Sequence, residues 1–281
     1  MRRSIVTLVA IMLAAAFSGT AQAAASGRPG NELVKRSDVE FIPLNPARGD
    51  LGPKAGKLWG DIRADVPSGI LVTFVDGFQS PPHIHNITYR AVVISGAVHN
   101  DDPAAEKMWM EPGSFWTQPL GENHITAAKG EDSMIFLEIL SGPYLVKPAD
   151  QAFDSGERPI NVAARNIMWL EAEDAEWIGR EGPKMAYLWG SVEDNEKNGT
   201  FVRLPSGYGG ELSTSAPMMR VVTIQGQASI QLSGESDIHS LDPGSYFCSK
   251  GEAAHQISCD SDEECVLYLH TEGKYRLGAS P

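Results

Sequence analysis

The chain has 281 residues, with 36 acidic against 23 basic side chains and a formal net charge of −13. That length leaves room for about two ordinary domains, each able to bury its own core, and 42% hydrophobic with 21% charged residues excludes a disordered chain. So acidic a balance repels phosphate backbones and excludes nucleic acid as a partner.

The first segment, MRRSIVTLVAIMLAAAFSGTAQAAA, has a basic start, an apolar middle from Ile5 to Phe17 and small residues ending in Ala21-Gln22-Ala23. This predicts a secretory signal peptide of the Sec type over residues 1–23 rather than a membrane span. Cleavage would remove Arg2 and Arg3, taking the charge from −13 to −13 − 2 = −15. The mature chain is then expected in the periplasm or secreted, with no membrane span after processing.

Beyond the leader, one unit is written twice. GPKAGKLWGDI from Gly52 is answered by GPKMAYLWGSV from Gly182, an offset of 130, and YRAVVISG from Tyr89 is answered by MRVVTIQG from Met219 at the same offset. EPGSFWTQ from Glu111 matches DPGSYFCS from Asp242 at an offset of 131. One register kept over such a distance marks a duplicated domain. The first copy is placed at 38–148 and the second at 166–277. A polar joint at 149–165, within KPADQAFDSGERPINVAARN, reads as a linker. Trp59 and Trp189 occupy equivalent places, which argues for a role in the fold.

Each copy consists of short runs such as GILVTFV, YRAVVIS, MIFLEIL and CVLYLH, rich in β-branched and aromatic residues and separated by Gly, Pro, Asn and Asp. Such runs predict strands, and no helix of ten residues or more is expected. The fold class is all-β: two barrels or sandwiches in tandem.

GFQSPPHIHNITYRAVVISG carries His83 and His85 one residue apart, and residues two apart on a strand project to the same face. His124, after the turn Pro119-Leu120-Gly121, supplies a third imidazole. Three neutral imidazoles converging in a small barrel describe a site for a borderline transition metal. A metal-free polar cluster would instead have to find a partner for every buried ring.

The spacing here resembles the two motifs of the cupin family. Gly77, five residues, His83-x-His85, three residues, Tyr89, six residues and Gly96 is similar to the first; Gly113, five residues, Pro119-x-Gly121, two residues and His124 is similar to the second. The resemblance implies a jelly-roll barrel with a central metal, and the repeat makes the chain a bicupin. It is similar to a group of bacterial bicupins classed as a domain of unknown function, and to the cupin domains of zinc-dependent anti-sigma factors. The implied ligands are His83, His85 and His124, holding one divalent ion of Fe, Zn, Ni or Mn. Tyr89 stands where the common motif has a glutamate ligand. Its phenol could hydrogen-bond a metal-bound water or substrate, ligate weakly, or fill the vacated space. Without that carboxylate the ion keeps its full charge, as in three-histidine cupin dioxygenases that bind anionic substrates.

In the second copy Ser213 and Ser215 replace the two histidines, Met219 replaces Tyr89, and only His255 survives, so this barrel is expected to lack a metal. Cys259 and Cys265 flank an acidic turn, and a hairpin there could bring them together as a disulfide; Cys248 reads as a buried small residue. His99 is expected on an exposed loop; Glu138 could point into the barrel near His124, but is expected on the outer face of its strand. No phosphate loop, nucleophile elbow or CxxC pair is visible, which demotes nucleotide binding and serine hydrolysis.

Two functions fit. The favoured one is a metal-dependent enzyme acting on a small anionic molecule, dioxygenase-like or a hydrolase or isomerase; the alternative is a non-catalytic cupin that binds or senses a metal or small ligand. Either way the partner is a small molecule, and the chain is a monomer or homodimer.

Overall fold

The structure is a computed structural model that describes residues 30–179, 182–191 and 193–278. The expected signal peptide lies outside the described residues. Helical turns among these residues are short 3-10 segments, the longest Pro46–Leu51, and strands make the rest of the framework.

In the first copy, seven antiparallel strands form one sheet in the order Ile160–Val162, Phe115–Gln118, Tyr89–Asp101, Ile125–Ile139, Ser68–Phe74, Lys54–Trp59 and Phe41–Pro43. The two longest, Tyr89–Asp101 and Ile125–Ile139, break register at Val93/Ser95 and again at Ser95/Ala97, so the sheet folds over on itself. Gly96 sits at that corner with φ 71°, a conformation that side chains resist. Gly226 does the same at φ 73°, and there the second copy divides into two sheets.

Those sheets are six strands, Glu32–Val34, Tyr246–Ser249, Met219–Gln225, Cys265–Glu272, Lys197–Leu204 and Lys184–Gly190, and five strands, Ile238–Leu241, Ala228–Gln231, Ala253–Cys259, Gly209–Thr214 and Tyr275–Gly278.

Strand alternation sorts the side chains into three cores. Ile70, Val72, Tyr89, Ala91, Val93, Ile135, Leu137 and Ile139 fill the first barrel. Val202, Val221, Leu267 and Leu269 belong to the core of the second. The intervening residues Leu71, Val92, Phe136, Phe201, Val222 and Tyr268 form a third core between the two sheets. The outer face of each large sheet is therefore covered by the other barrel, and burying each such side chain contributes roughly 1.5–3 kcal/mol.

This third core has twofold-like pairing. The Arg90 guanidinium lies 4.0 Å from the ring centre of Trp189, and Arg220 lies 5.2 Å from that of Trp59. Each arginine thus caps the tryptophan of the opposite copy.

Two expectations need correction here, and a third, the outward Glu138, needs completing. Glu138 does not face solvent: it is 1% exposed, and in the third core its carboxylate accepts hydrogen bonds from the Tyr268 hydroxyl and from His270 Nδ1, the latter at 3.0 Å. The outer face of its strand exists, but the second barrel occupies it. His99 is buried rather than on an exposed loop, because the strand from Tyr89 runs on through it to Asp101. The stretch read as a linker holds Ile160–Val162, which pairs with Phe115–Thr117 of the first copy. In the same way Glu32–Val34, ahead of the first copy, pairs with Tyr246–Cys248 of the second. Each arm precedes one copy and extends the sheet of the other.

Cys259 and Cys265 are joined in a disulfide, and Cys248 is free and buried. The acidic turn between the bridged cysteines is not a hairpin: Cys259 ends a strand of the five-stranded sheet and Cys265 begins one of the six-stranded sheet, so the bridge staples two sheets together.

Candidate metal centre

The strand His83–His85 places both imidazoles on one side and Ile84, 1% exposed, on the other. Two backbone hydrogen bonds tie it to the third histidine: His83 N donates to His124 O and His124 N to His83 O, each at 3.0 Å. Gly121 N donates to His85 O at 2.9 Å, completing the frame. Gly121 has φ 76°, and a Cβ there would lie 2.6 Å from Phe153 O; only glycine lets the chain cross so closely.

One ring nitrogen from each of His83, His85 and His124 lies within 4.8 Å of the other two. The Nδ1 nitrogens are all committed to backbone carbonyls. His83 Nδ1 is 2.9 Å from Pro81 O, His85 Nδ1 is 3.1 Å from Leu145 O, and His124 Nδ1 is 3.0 Å from Glu122 O. A carbonyl only accepts, so each Nδ1 carries the proton and each Nε2 presents a lone pair inward. His124 Nε2 is buried with no partner. A buried lone pair left open beside two others is what a metal ion would satisfy, and the donor set suits a borderline transition ion.

Electrostatics hold the rings neutral. Burial, then repulsion from His124 and His83, keeps the His85 pKa well below its ordinary value, and burial takes His124 down to about 3. His83 is also lowered, chiefly by burial, with the Arg48 guanidinium adding to the effect. It is the half-exposed member of the three, so the centre opens on its side.

Tyr89 is buried facing the same interior, its ring 5.2 Å from that of His85. Its hydroxyl donates to Asn100 Oδ1 at 2.9 Å, where Thr126 Oγ1 also donates at 2.8 Å, while Asn100 Nδ2 donates to Gln118 Oε1 at 2.8 Å. Burial raises the phenol's pKa. The structure thus places Tyr89 beside the centre with its oxygen tied to a polar chain.

The sequence reading missed Tyr144. Its hydroxyl is 3.1 Å from His85 Nε2 and its ring stacks on that imidazole at 4.3 Å. The missed signal was a repeated Gly-x-Tyr: Gly142-Pro143-Tyr144 and Gly273-Lys274-Tyr275, at an offset of 131. Asn86 and Asn100 were missed too, since isolated asparagines carry no pattern.

The second barrel departs from this plan. Ser233 N donates to His255 Nδ1 at 2.9 Å, so the proton sits on Nε2, the reverse of the tautomer in the first barrel. Ser215 is exposed and Ser213 only half-buried. Among the described residues, the group able to hold a metal is His83, His85 and His124.

Residues 32–278 match the model of a family described as domain of unknown function DUF4437. The chain belongs to the DUF4437 family. No curated protein matches this DUF4437 chain. Solved structures that resemble it are cupins and bicupins. Bacillus subtilis oxalate decarboxylase, described with Mn(II) centres, is 13% identical with a TM-score of 0.57 over 88% of this chain and 78% of that one. Momordica charantia 7S globulin is 10% identical, with a TM-score of 0.58 over 90% and 87%. A Nostoc punctiforme protein provisionally assigned as a dioxygenase is 11% identical, with a TM-score of 0.59 over 87% and 88%. At such identities the likeness establishes the fold of the DUF4437 chain, a bicupin, and nothing finer.

Proposed function

We propose that this chain is an exported, metal-dependent cupin enzyme whose N-terminal barrel acts on a small anionic molecule. The observation that carries the reading is the tautomer lock: three backbone carbonyls hold three Nδ1 protons and leave an Nε2 lone pair on each of three clustered histidines. His83, His85 and His124 would hold one divalent ion of Fe, Zn, Ni or Mn. When bound, such an ion supplies Lewis acidity and, if iron, a way to engage dioxygen.

The chain's own residues set what approaches. No carboxylate belongs to the ligand set, so the ion keeps its charge, and Arg48 adds positive potential on the open His83 side. An anionic ligand is favoured there despite the acidic chain as a whole. Buried Tyr89, packed edge-on against His85, helps exclude water from the inner side. Tyr89, Asn100 and Gln118 form a hydrogen-bond chain that fixes the phenol beside the centre.

A second reading, a non-catalytic binding or sensing cupin akin to the anti-sigma type, is favoured by Tyr144 covering His85. The test is elemental analysis of the mature protein isolated from its native compartment without added metal, beside His124→Ala. About one equivalent, lost in the variant, supports the centre; iron directs the search to oxygen uptake, and zinc, nickel or manganese to hydrolysis, isomerisation or sensing. No metal in either protein, and none taken up on titration, overturns the reading.

A further inference from the structure

We propose that Tyr144 is the fourth protein ligand of the centre, its phenol oxygen standing in for the carboxylate absent at position 89. The inference rests on the metal-site reading and refines it: with a phenolate bound, a divalent ion would keep one net positive charge, still favouring a small anion.

Tyr89 cannot take that role without dismantling its surroundings. Its hydroxyl is bound to Asn100 Oδ1, which Thr126 also engages, and Asn100 is bound in turn to Gln118. Tyr144 is differently placed. Its hydroxyl makes one hydrogen bond among the described residues, to His85 Nε2. His85 Nδ1 already donates to Leu145 O, so the contact falls on the nitrogen a metal would take, and because the two rings stack the hydroxyl approaches that nitrogen from the face of the imidazole, beside the in-plane lone pair. The O···N distance of 3.1 Å is that of an ordinary hydrogen bond, and it is also compatible with two ligands of one ion. Two ligands bound at about 2.1 Å and separated by 90–109° stand about 3.0–3.4 Å apart. Once a metal takes His85 Nε2 and displaces that hydrogen bond, the phenol oxygen is left unpartnered within reach of the ion.

The residue is also held there. Asn86 clamps it from both sides, Nδ2 donating to Pro143 O at 2.9 Å and Oδ1 accepting from Leu145 N at 2.8 Å. Tyr144 N donates to Ile62 O at 2.7 Å. Directly after it, Val146–Pro148 pairs with the ligand strand itself, Val146 opposite His85 and Pro148 opposite His83. Tyr275, which follows Gly273 as Tyr144 follows Gly142, instead spends its hydroxyl on Thr200 at 3.0 Å in the barrel without the histidine set. On ligation the phenolic proton would leave to solvent and the oxygen would face the ion.

The experiment loads ferric iron into the wild-type protein and into Tyr144→Phe, Tyr89→Phe and Tyr144→Glu, and records visible absorption together with zinc affinity. A phenolate-to-iron charge-transfer band is expected in the wild type and in Tyr89→Phe, and none in Tyr144→Phe. Zinc affinity of Tyr144→Phe is expected to fall by about 10–100-fold. Tyr144→Glu should regain most of that affinity without the band, which separates lost ligation from lost folding. A wild type that binds metal without the band, or a Tyr144→Phe that keeps the band or binds as tightly or more tightly, overturns the inference while leaving the three-histidine site standing. A wild type that takes up no metal overturns both.

Discussion

Replacing Glu138 by alanine should strip this protein of much of the stability that joins its two barrels. The carboxylate is 1% exposed and accepts from Tyr268 and His270, two residues of the other barrel. Burial alone would raise its pKa, yet the His270 and Tyr268 contacts, with Arg90 nearby, bring it below the usual carboxylate value. Removing it leaves a buried hydroxyl and a buried imidazole N–H without acceptors. Each orphaned donor costs about 1–3 kcal/mol, so the two together cost about 2–6 kcal/mol, centred on about 3–5 kcal/mol. Taking 3–5 kcal/mol and about 2–4 °C per kcal/mol for a chain of this size, Glu138→Ala lowers the melting temperature by about 6–20 °C. Glu138→Gln keeps an acceptor for Tyr268 and should lose about half as much. In a double-mutant cycle with Tyr268→Phe the coupling should exceed about 1 kcal/mol. Thermal and urea unfolding followed by circular dichroism measure all of these. A loss under about 1 kcal/mol for Glu138→Ala, or strict additivity with Tyr268→Phe, would refute the argument that this network joins the barrels.

Other expectations follow from the same geometry. His83→Ser with His85→Ser, which copies the second barrel, should abolish metal binding, whereas His255→Ala should leave the metal content unchanged; elemental analysis reads both. Stability of the metal-free protein should fall with acidification: the buried rings of His85 and His124 are held below their ordinary 6.5, His124 at about 3. The unfolded chain therefore takes up protons below about pH 6.5 that the folded chain refuses, and the loss grows toward pH 3. A flat melting temperature from pH 7 to 4 would contradict that. Opening the Cys259–Cys265 bridge, six residues apart in sequence, should cost about 2 kcal/mol by loop-closure entropy, measured as the unfolding difference between the oxidised protein and Cys259→Ala/Cys265→Ala.

How far the sequence could be read depended on periodicity. The all-β fold was legible because 5- to 7-residue apolar runs repeat between turn residues, and the three histidines because both motifs fix their spacing around glycines that the corners require. The surroundings were not. Whether Glu138 meets water or another barrel depends on how two sheets pack, which alternation along one strand leaves open: Val92 and Arg90 share a face, and that face is an interface. Tyr144 lies outside both motifs and reaches the centre because its segment pairs with the strand of His83 and His85, a long-range contact without local signature. The destiny of Ile160–Val162 was hidden likewise, since an exchanged arm and a linker have the same polar, proline-bearing composition.

The exchanged arms have a consequence for how this chain could vary. Two copies that each lend a strand to the other are, in geometry, a twofold dimer joined end to end, and the peptide between them turns association into an intramolecular event. In a dimer of identical chains every substitution appears twice, so a change that ruins one centre ruins both. Once the copies share one chain, a substitution appears once. One barrel can then give up its histidines and still serve as the wall against which the other is held, which is the arrangement of Ser213, Ser215 and a reversed His255 facing an intact His83, His85 and His124 across a shared core.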